Sequence, residues 1–164
     1  VREVRIEPMT AADWPRVLAI YEEGIATRNA TFEAEPPSWE QWDSAHLAYC
    51  RFVARAKDLV IGWGALSPVS RRHCYRGVAE VSVYVSESAR GQGVGRLLLD
   101  YLVAASEARG IWTLQGATFP ENVASLRLQE ACGFRVVGRR ERIAQMDGVW
   151  RDTILTERRS AKAG

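Results

Sequence analysis

Between Val78 and Ala105 the hydrophobic period of the chain changes from two to 3.6 residues, and the change takes place across a glycine-rich loop. Val78, Glu80, Ser82 and Tyr84 alternate with Ala79, Val81, Val83 and Val85, so a strand here turns a polar row to one side and an apolar row to the core. Past Arg90-Gly91-Gln92-Gly93-Val94-Gly95-Arg96, residues Val94, Leu97, Leu98, Tyr101, Leu102 and Ala105 form the stripe of a helix laid on a sheet. The loop is therefore held between two rigid elements. Its three glycines permit positive φ and close approach of backbone to a bulky group. The first amides of a helix starting near Val94 have no intrahelical partner, and together with the positive end of the helix dipole they attract phosphate. Arg90 and Arg96 flank the loop and add charge-assisted donors.

Spacing excludes the common nucleotide loops. A dinucleotide fingerprint counted from Gly91 puts Arg96 where the third glycine belongs and Ile111 near the acidic position. The G-x-x-x-x-G-K-[ST] string of a P-loop does not occur. What remains, Arg90-x-x-Gly93-x-Gly95, is either a plain turn before a helix or a cradle for an anionic, phosphate-like group.

A length of 164 residues predicts one domain, residues 1–158, followed by a polar tail at 159–164 that frays. Hydrophobic content of 47% and charged content of 26% are ordinary for a globular chain. No apolar run reaches the roughly 18 residues of a membrane span, and Val1-Arg-Glu-Val-Arg lacks a signal-peptide core. Cys50, Cys74 and Cys132 are odd in number and form no C-x-x-C pair, so neither a disulfide framework nor a zinc site is indicated. His46 and His73 lack ligand spacing, and no metal is expected. The expected compartment is the cytoplasm. A net charge of +2 does not argue for nucleic acid, and no membrane partner is indicated. Arginines do cluster, at Arg71 and Arg72, at Arg135, Arg139, Arg140 and Arg142, and at Arg158 and Arg159; these are solvated faces or aids to an anionic ligand.

The remaining elements follow from periodicity and punctuation. Arg2 to Met9 reads as a half-buried strand, and Thr10 or Asp13 caps a helix whose Trp14, Val17, Leu18, Tyr21 and Ile25 share a face. Ser38 with Gln41 forms a capping box for a helix reaching about Tyr49. Phe52–Ala56 and Leu59–Leu66 read as a hairpin across Lys57-Asp58, followed by a loop from Ser67 to Gly77. Gly110 closes the helix that ends near Arg109, and Thr113–Phe119 is a strand. Asn122 or Glu121 opens a helix that runs through Ala131 and stops at Gly133. Phe134–Ile143 and Val149–Glu157 pair around Met146-Asp-Gly. The resulting order, β-α-α-β-β-β-α-β-α-β-β, predicts an α+β fold with a mixed, mostly antiparallel sheet and helices on both faces.

Two constellations carry chemistry. Glu80, on the polar row ahead of the loop, is placed to serve as a general base if a cleft shields it; paired with Arg76 it is instead a surface ion pair. Asn122 and Ser125 open the second, Asn122-x-x-Ser125-x-x-Leu128 closing in Gly133-Phe134, in which Asn122 also serves simply as a helix cap.

The two motifs, in this order, resemble those of the GNAT superfamily of acetyl-coenzyme A-dependent N-acetyltransferases. The resemblance narrows to the phosphinothricin and methionine sulfoximine N-acetyltransferases through Thr31-Phe32-Glu33, Trp39, Tyr75, Ala79 to Ser86, Gly91 to Gly95, Leu126 to Phe134 and Asp147-Gly-Val-Trp-Arg-Asp152. It implies Glu80 as the base, and acetyl-CoA as co-substrate. The amides of Val83, Tyr84 and Val85 would hold the pantetheine and acetyl carbonyl. Arg90, Gly91, Gln92, Gly93, Val94, Gly95 and Arg96 would take the pyrophosphate, and Asn122 and Ser125 would contact the coenzyme. It also implies a homodimer. One position departs: Gln129 stands where such enzymes place Tyr or His, and an amide is a poor proton donor.

Phe32, Glu33, Arg71, Arg72, Tyr75, Thr118 and Phe119 are candidates to line a pocket for a small amine, the arginines either meeting an anionic group or serving as solvated loop charges. The expected reaction is direct acetyl transfer to the α-amine of an amino-acid-like substrate. Acetylation of a protein N-terminus or polyamine, and non-catalytic acyl-coenzyme binding, are the rival readings.

Overall fold

A computed structural model describes residues 3–164; Val1 and Arg2, where the first strand was expected to begin, lie outside the described residues. Its strands are β1 Val4–Pro8, β2 Phe52–Ala56, β3 Leu59–Pro68, β4 Val78–Val85, β5 Thr113–Thr118, β6 Arg135–Met146 and β7 Val149–Arg159. Its α-helices are α1 Trp14–Ala26, α2 Trp39–Ala45, α3 Val94–Ala108 and α4 Val123–Ala131. The expected order holds, and the strands make one sheet ordered β1-β2-β3-β4-β5-β7-β6 in which only β4 and β5 run parallel.

Helices cover both faces. Val17, Ile20, Tyr21 and Ile25 of α1 and Trp42 of α2 pack with Val53, Val60, Trp63 and Ala65. On the other face Leu98 packs with Ala54 and Ile61, and Leu99 and Leu102 with Leu66, Ala79, Leu114 and Phe134. Two expected faces are rotated. Ile20, not Leu18, is fully buried on α1, while Leu97 and Tyr101 of α3 are half exposed and Leu99 and Ser106 go inside. A period of 3.6 makes adjacent stripes equally apolar here, and only the docking of the helix on the sheet selects one.

The Ser38–Gln41 capping box forms: Gln41 N donates to Ser38 Oγ at 3.2 Å and Ser38 N to Gln41 Oε1 at 2.9 Å. The helix stops at Ala45 instead of Tyr49 because His46 turns extended and Leu47 N donates to Leu66 O, drawing the chain along β3. β3 and β6 run longer than expected, to Pro68 and Met146, since each has a full-length antiparallel neighbour. Asp147 and Gly148, both at positive φ, make the tight turn into β7. At the end of the chain, where fraying was expected, buried Ser160 donates to Glu107 Oε2 at 2.9 Å and accepts from Lys162 N and Ala163 N.

Candidate active site

The parallel seam between β4 and β5 is short. It pairs Val78 with Thr113, Ala79 with Leu114 and Glu80 with Gln115, and then stops. β4 continues beside β3 as far as Val85, and β5 continues beside β7 as far as Thr118. The sheet therefore opens beyond Glu80 into a wedge whose arms are Val81–Val85 and Gly116–Thr118. A cleft of about 770 Å³ fills the opening, bounded by both arms, the loop ahead of α3, the start of α4 and the segment 27–33. A volume of this size suits a cofactor-scale ligand.

At one end stands the glycine loop. Gly91 and Gly93 take φ of 73° and 84°, and a Cβ on either would meet no atom within 4 Å, so the inner surface of the loop is bare backbone with room before it. Gly93 is the N-cap of α3 and no side chain caps the helix, which leaves its first amides for an anionic guest. Gly95 has a packing role as well: its Cα faces Leu128 closely enough that a Cβ would lie 3.1 Å from Leu128 Cδ2. Arg90 and Arg96 line the cleft, with Arg90 Nε on Val85 O at 3.2 Å and Arg96 against Asp100 at 3.4 Å. Gln92 does not line it; its amide donates to Ser88 O.

Glu80 sits at the apex of the wedge, partly buried, and Gln115 Nε2 donates to its Oε1 at 3.1 Å. The alternative pairing with Arg76 does not form, for that guanidinium lies over the Trp112 ring and donates to His73 O. Further along β4 the Tyr84 ring packs against both Tyr21 and Trp63, with centroids 5.0 and 4.8 Å away, and those two rings are 5.8 Å from each other, so the three form one aromatic cluster. Burial and the neighbouring Tyr21 push the Tyr84 phenol up, well out of the range in which it would ionise at neutral pH.

Across the cleft, α4 presents Asn122, Ser125 and Gln129. Asn122 is engaged twice, its Oδ1 accepting from Ser125 N at 3.2 Å and its Nδ2 donating to Asn29 O at 3.1 Å. Gln129, 5% exposed, is saturated: its Nε2 donates to Thr118 Oγ1 at 2.8 Å and to Ser125 Oγ at 3.1 Å, and its Oε1 accepts from Thr156. It has no proton to release and no donor to spare. Burial pushes the Cys132 thiol up to about 11, and Cys50 is shifted the same way, so neither is a thiolate nucleophile.

The other end of the cleft holds Thr31, Phe32, Glu33, Thr118 and Phe119, with Phe32 edge-on to Phe119 at 4.8 Å. Arg71, Arg72 and Tyr75 are not brought here. They stand exposed in the turn before β4, where Arg72 covers the Tyr75 ring, because β4 carries its N-terminal end away from the opening of the wedge. Sequence reasoning missed Asn29, Gln115 and Gly116, which line or support the site. No local signal marks them, since each acts through a partner brought up by the fold.

Residues 14–134 match the sequence model of the Acetyltransferase (GNAT) family. The phosphinothricin N-acetyltransferase of Alcaligenes faecalis is 35% identical over 157 residues, covering 89% of this chain and 77% of that one. An L-methionine sulfoximine/L-methionine sulfone acetyltransferase of Pseudomonas aeruginosa is 31% identical over 147 residues, 86% of each chain. Among solved structures, a GNAT superfamily phosphinothricin acetyltransferase from Sinorhizobium meliloti in complex with AcCoA superposes with a TM-score of 0.88 at 28% identity, over 98% of this chain and 90% of that one.

Proposed function

Because the chain belongs to the Acetyltransferase (GNAT) family, we propose that it transfers the acetyl group of acetyl-CoA to the α-amine of a small amino-acid-like substrate of the phosphinothricin or methionine sulfoximine type. The observation that carries this reading is the placing of Glu80 at the apex of one continuous cleft. A bare-backbone anion loop lies at one end of that cleft and the Phe32–Phe119 pair at the other.

In this proposal the coenzyme's diphosphate sits on the Gly91–Arg96 loop and its acyl arm follows the free edge of Val83–Val85, with Ser125 opposite. The acceptor lies among Phe32, Glu33, Thr118 and Phe119. Glu80 takes a proton from the ammonium, directly or through water, and the free amine attacks the thioester carbonyl carbon. The C–N bond forms, the C–S bond breaks with its electron pair leaving on sulfur as a thiolate, and the attacking nitrogen gives its second proton to water as the amide forms. Since both N–H groups of Gln129 are already given to hydroxyl oxygens, the thiolate takes its proton from water.

One observation favours a second reading. The cations lining the cleft, Arg90 and Arg96, stand at the loop end, while the acceptor end carries the carboxylates Glu33 and Glu80, a balance that also suits a polyamine or a peptide N-terminus. A panel of amines assayed for thiol release from acetyl-CoA decides. Phosphinothricin or methionine sulfoximine as the best acceptor supports the proposal, spermidine or a peptide replaces it, and no release with any amine leaves an acyl-coenzyme-binding module.

The proposal extends to a homodimer in the cytoplasm. The three cysteines are free, and the outer β6–β7 hairpin exposes Val136, Val137, Ile143, Val149 and Trp150 on an edge of the sheet. Sedimentation at micromolar concentration distinguishes dimer from monomer.

A further inference from the structure

The acceptor end of the cleft is roofed by the segment 27–33, which leaves the end of α1 on one side of the wedge and is fastened to the other. Its principal fastening is one side chain. Arg151 of β7, whose side chain is only 16% exposed, donates through Nη1 to Arg28 O at 2.6 Å and through Nη2 to Asn29 Oδ1 at 3.0 Å, with a further bond to Glu121 Oε2 at 3.2 Å. The same guanidinium lies 3.7 Å from the centroid of Phe119, and Phe119 in turn meets Phe32 edge-on. Asn122 Nδ2 on Asn29 O and the Arg28–Asp147 ion pair add to the tie.

We propose that Arg151 is a positioning residue for the acceptor: it sets the width of the acceptor aperture by clamping residues 28 and 29 and backing the Phe119–Phe32 pair, without lining the cleft itself. A planar guanidinium can lie flat on an aromatic face while two of its N–H groups reach acceptors in its plane, and an ammonium cannot do both. The clamp acts on the wall contributed by Asn29, Thr31, Phe32 and Glu33 and leaves the glycine loop, on the far side of the cleft, untouched. Binding of the amine therefore depends on it and binding of the coenzyme does not. The inference rests on the acetyltransferase reading for what occupies the aperture, and on the contacts alone for the clamp.

The test compares the full chain with Arg151→Met, Arg151→Lys and Asn29→Ala. Arg151→Met is expected to raise KM for the best amine of the panel by about tenfold, with kcat changed by less than about threefold and KM for acetyl-CoA within about twofold. Arg151→Lys restores part of the loss, and Asn29→Ala, which removes one of the clamp's acceptors, reproduces part of it. Hydrogen exchange of the backbone amides of residues 28–33 is expected to quicken in the same order. The exchange arm needs no substrate: should the wild-type chain acetylate none of the amines, the function fails while the clamp is still judged by exchange. Unchanged exchange in Arg151→Lys and Asn29→Ala overturns the clamp. Equal rises in the two KM values overturn its role as an acceptor-specific device.

Discussion

Gln115 and Glu80 form the last rung of the parallel seam, and the amide of one donates to the carboxylate of the other at 3.1 Å where the two strands part. One oxygen of Glu80 is thereby oriented from the β5 side, while the carboxylate stands at the point where the cleft begins. Position in the wedge, and not a charged partner, gives this residue its place.

Glu80→Gln keeps the shape and removes the proton acceptor. Turnover is expected to fall about 10²-fold or more at neutral pH while acetyl-CoA binding persists. The deficit shrinks at high pH, where the amine arrives already free. A rate profile identical to wild type from neutral to alkaline pH would assign Glu80 to structure.

Gly93→Val tests the loop. The residue adopts φ of 84° at the start of α3, so a β-branched side chain is strained there and projects into the room in front of the helix amides. Calorimetry is expected to show acetyl-CoA binding lost in a protein whose circular dichroism is unchanged. Retained affinity refutes the anion cradle.

Gly116→Ala probes the buried hub. A Cβ there would lie 2.6 Å from Gln129 Oε1 and 2.8 Å from Thr156 Oγ1, so the substitution is expected to cost about 1–3 kcal/mol of stability. Adding Gln129→Ala should recover part of that loss, since the clash and the network share an atom. Strict additivity in denaturant titrations would show that the two do not meet.

Arg71→Ala and Arg72→Ala address the substrate. Both stand exposed outside the cleft, so either change is expected to leave KM for phosphinothricin or methionine sulfoximine unaltered, and a rise in KM larger than the fall in kcat would instead bring this loop to the acceptor. Unaltered kinetics in both would confirm these residues as solvated charges, the condition in which they stand in the fold.

His46 governs a pH dependence of stability. Burial holds its imidazole below the ordinary value near 6.5, with Arg51 acting in the same direction, although the Trp42 carbonyl on Nδ1 opposes both. The unfolded chain then takes up the proton first as the solution is acidified. The contribution is complete above the unfolded value and is lost as pH falls through the folded one. The denaturation midpoint is expected to drop as pH falls below the unfolded value near 6.5, and His46→Phe should flatten that part of the curve.

Much of this architecture is written locally. The strand over Val78–Val85, the glycine turn, the start of α3 at Val94, the Ser38–Gln41 box and the Asn122 cap each depend on residues within a few positions of one another. The alternation of side chains marks the strand, backbone geometry and short-range hydrogen bonds suffice to specify the others, and the glycine loop with the Asn122 motif was enough to indicate the family. Whatever depends on register between distant segments was not legible. The sheet alone decides that β4 and β5 part at Glu80, that Gln115 is its neighbour, and that Leu99 rather than Leu97 faces the core. Only the tertiary structure closes Gln129 into a buried network, leaves Arg71 and Arg72 outside the cleft and lays Arg151 across Asn29, 122 positions away in the chain. A side chain's type states which bonds it can make, but the packing of elements far apart in sequence determines which of those partners is within reach.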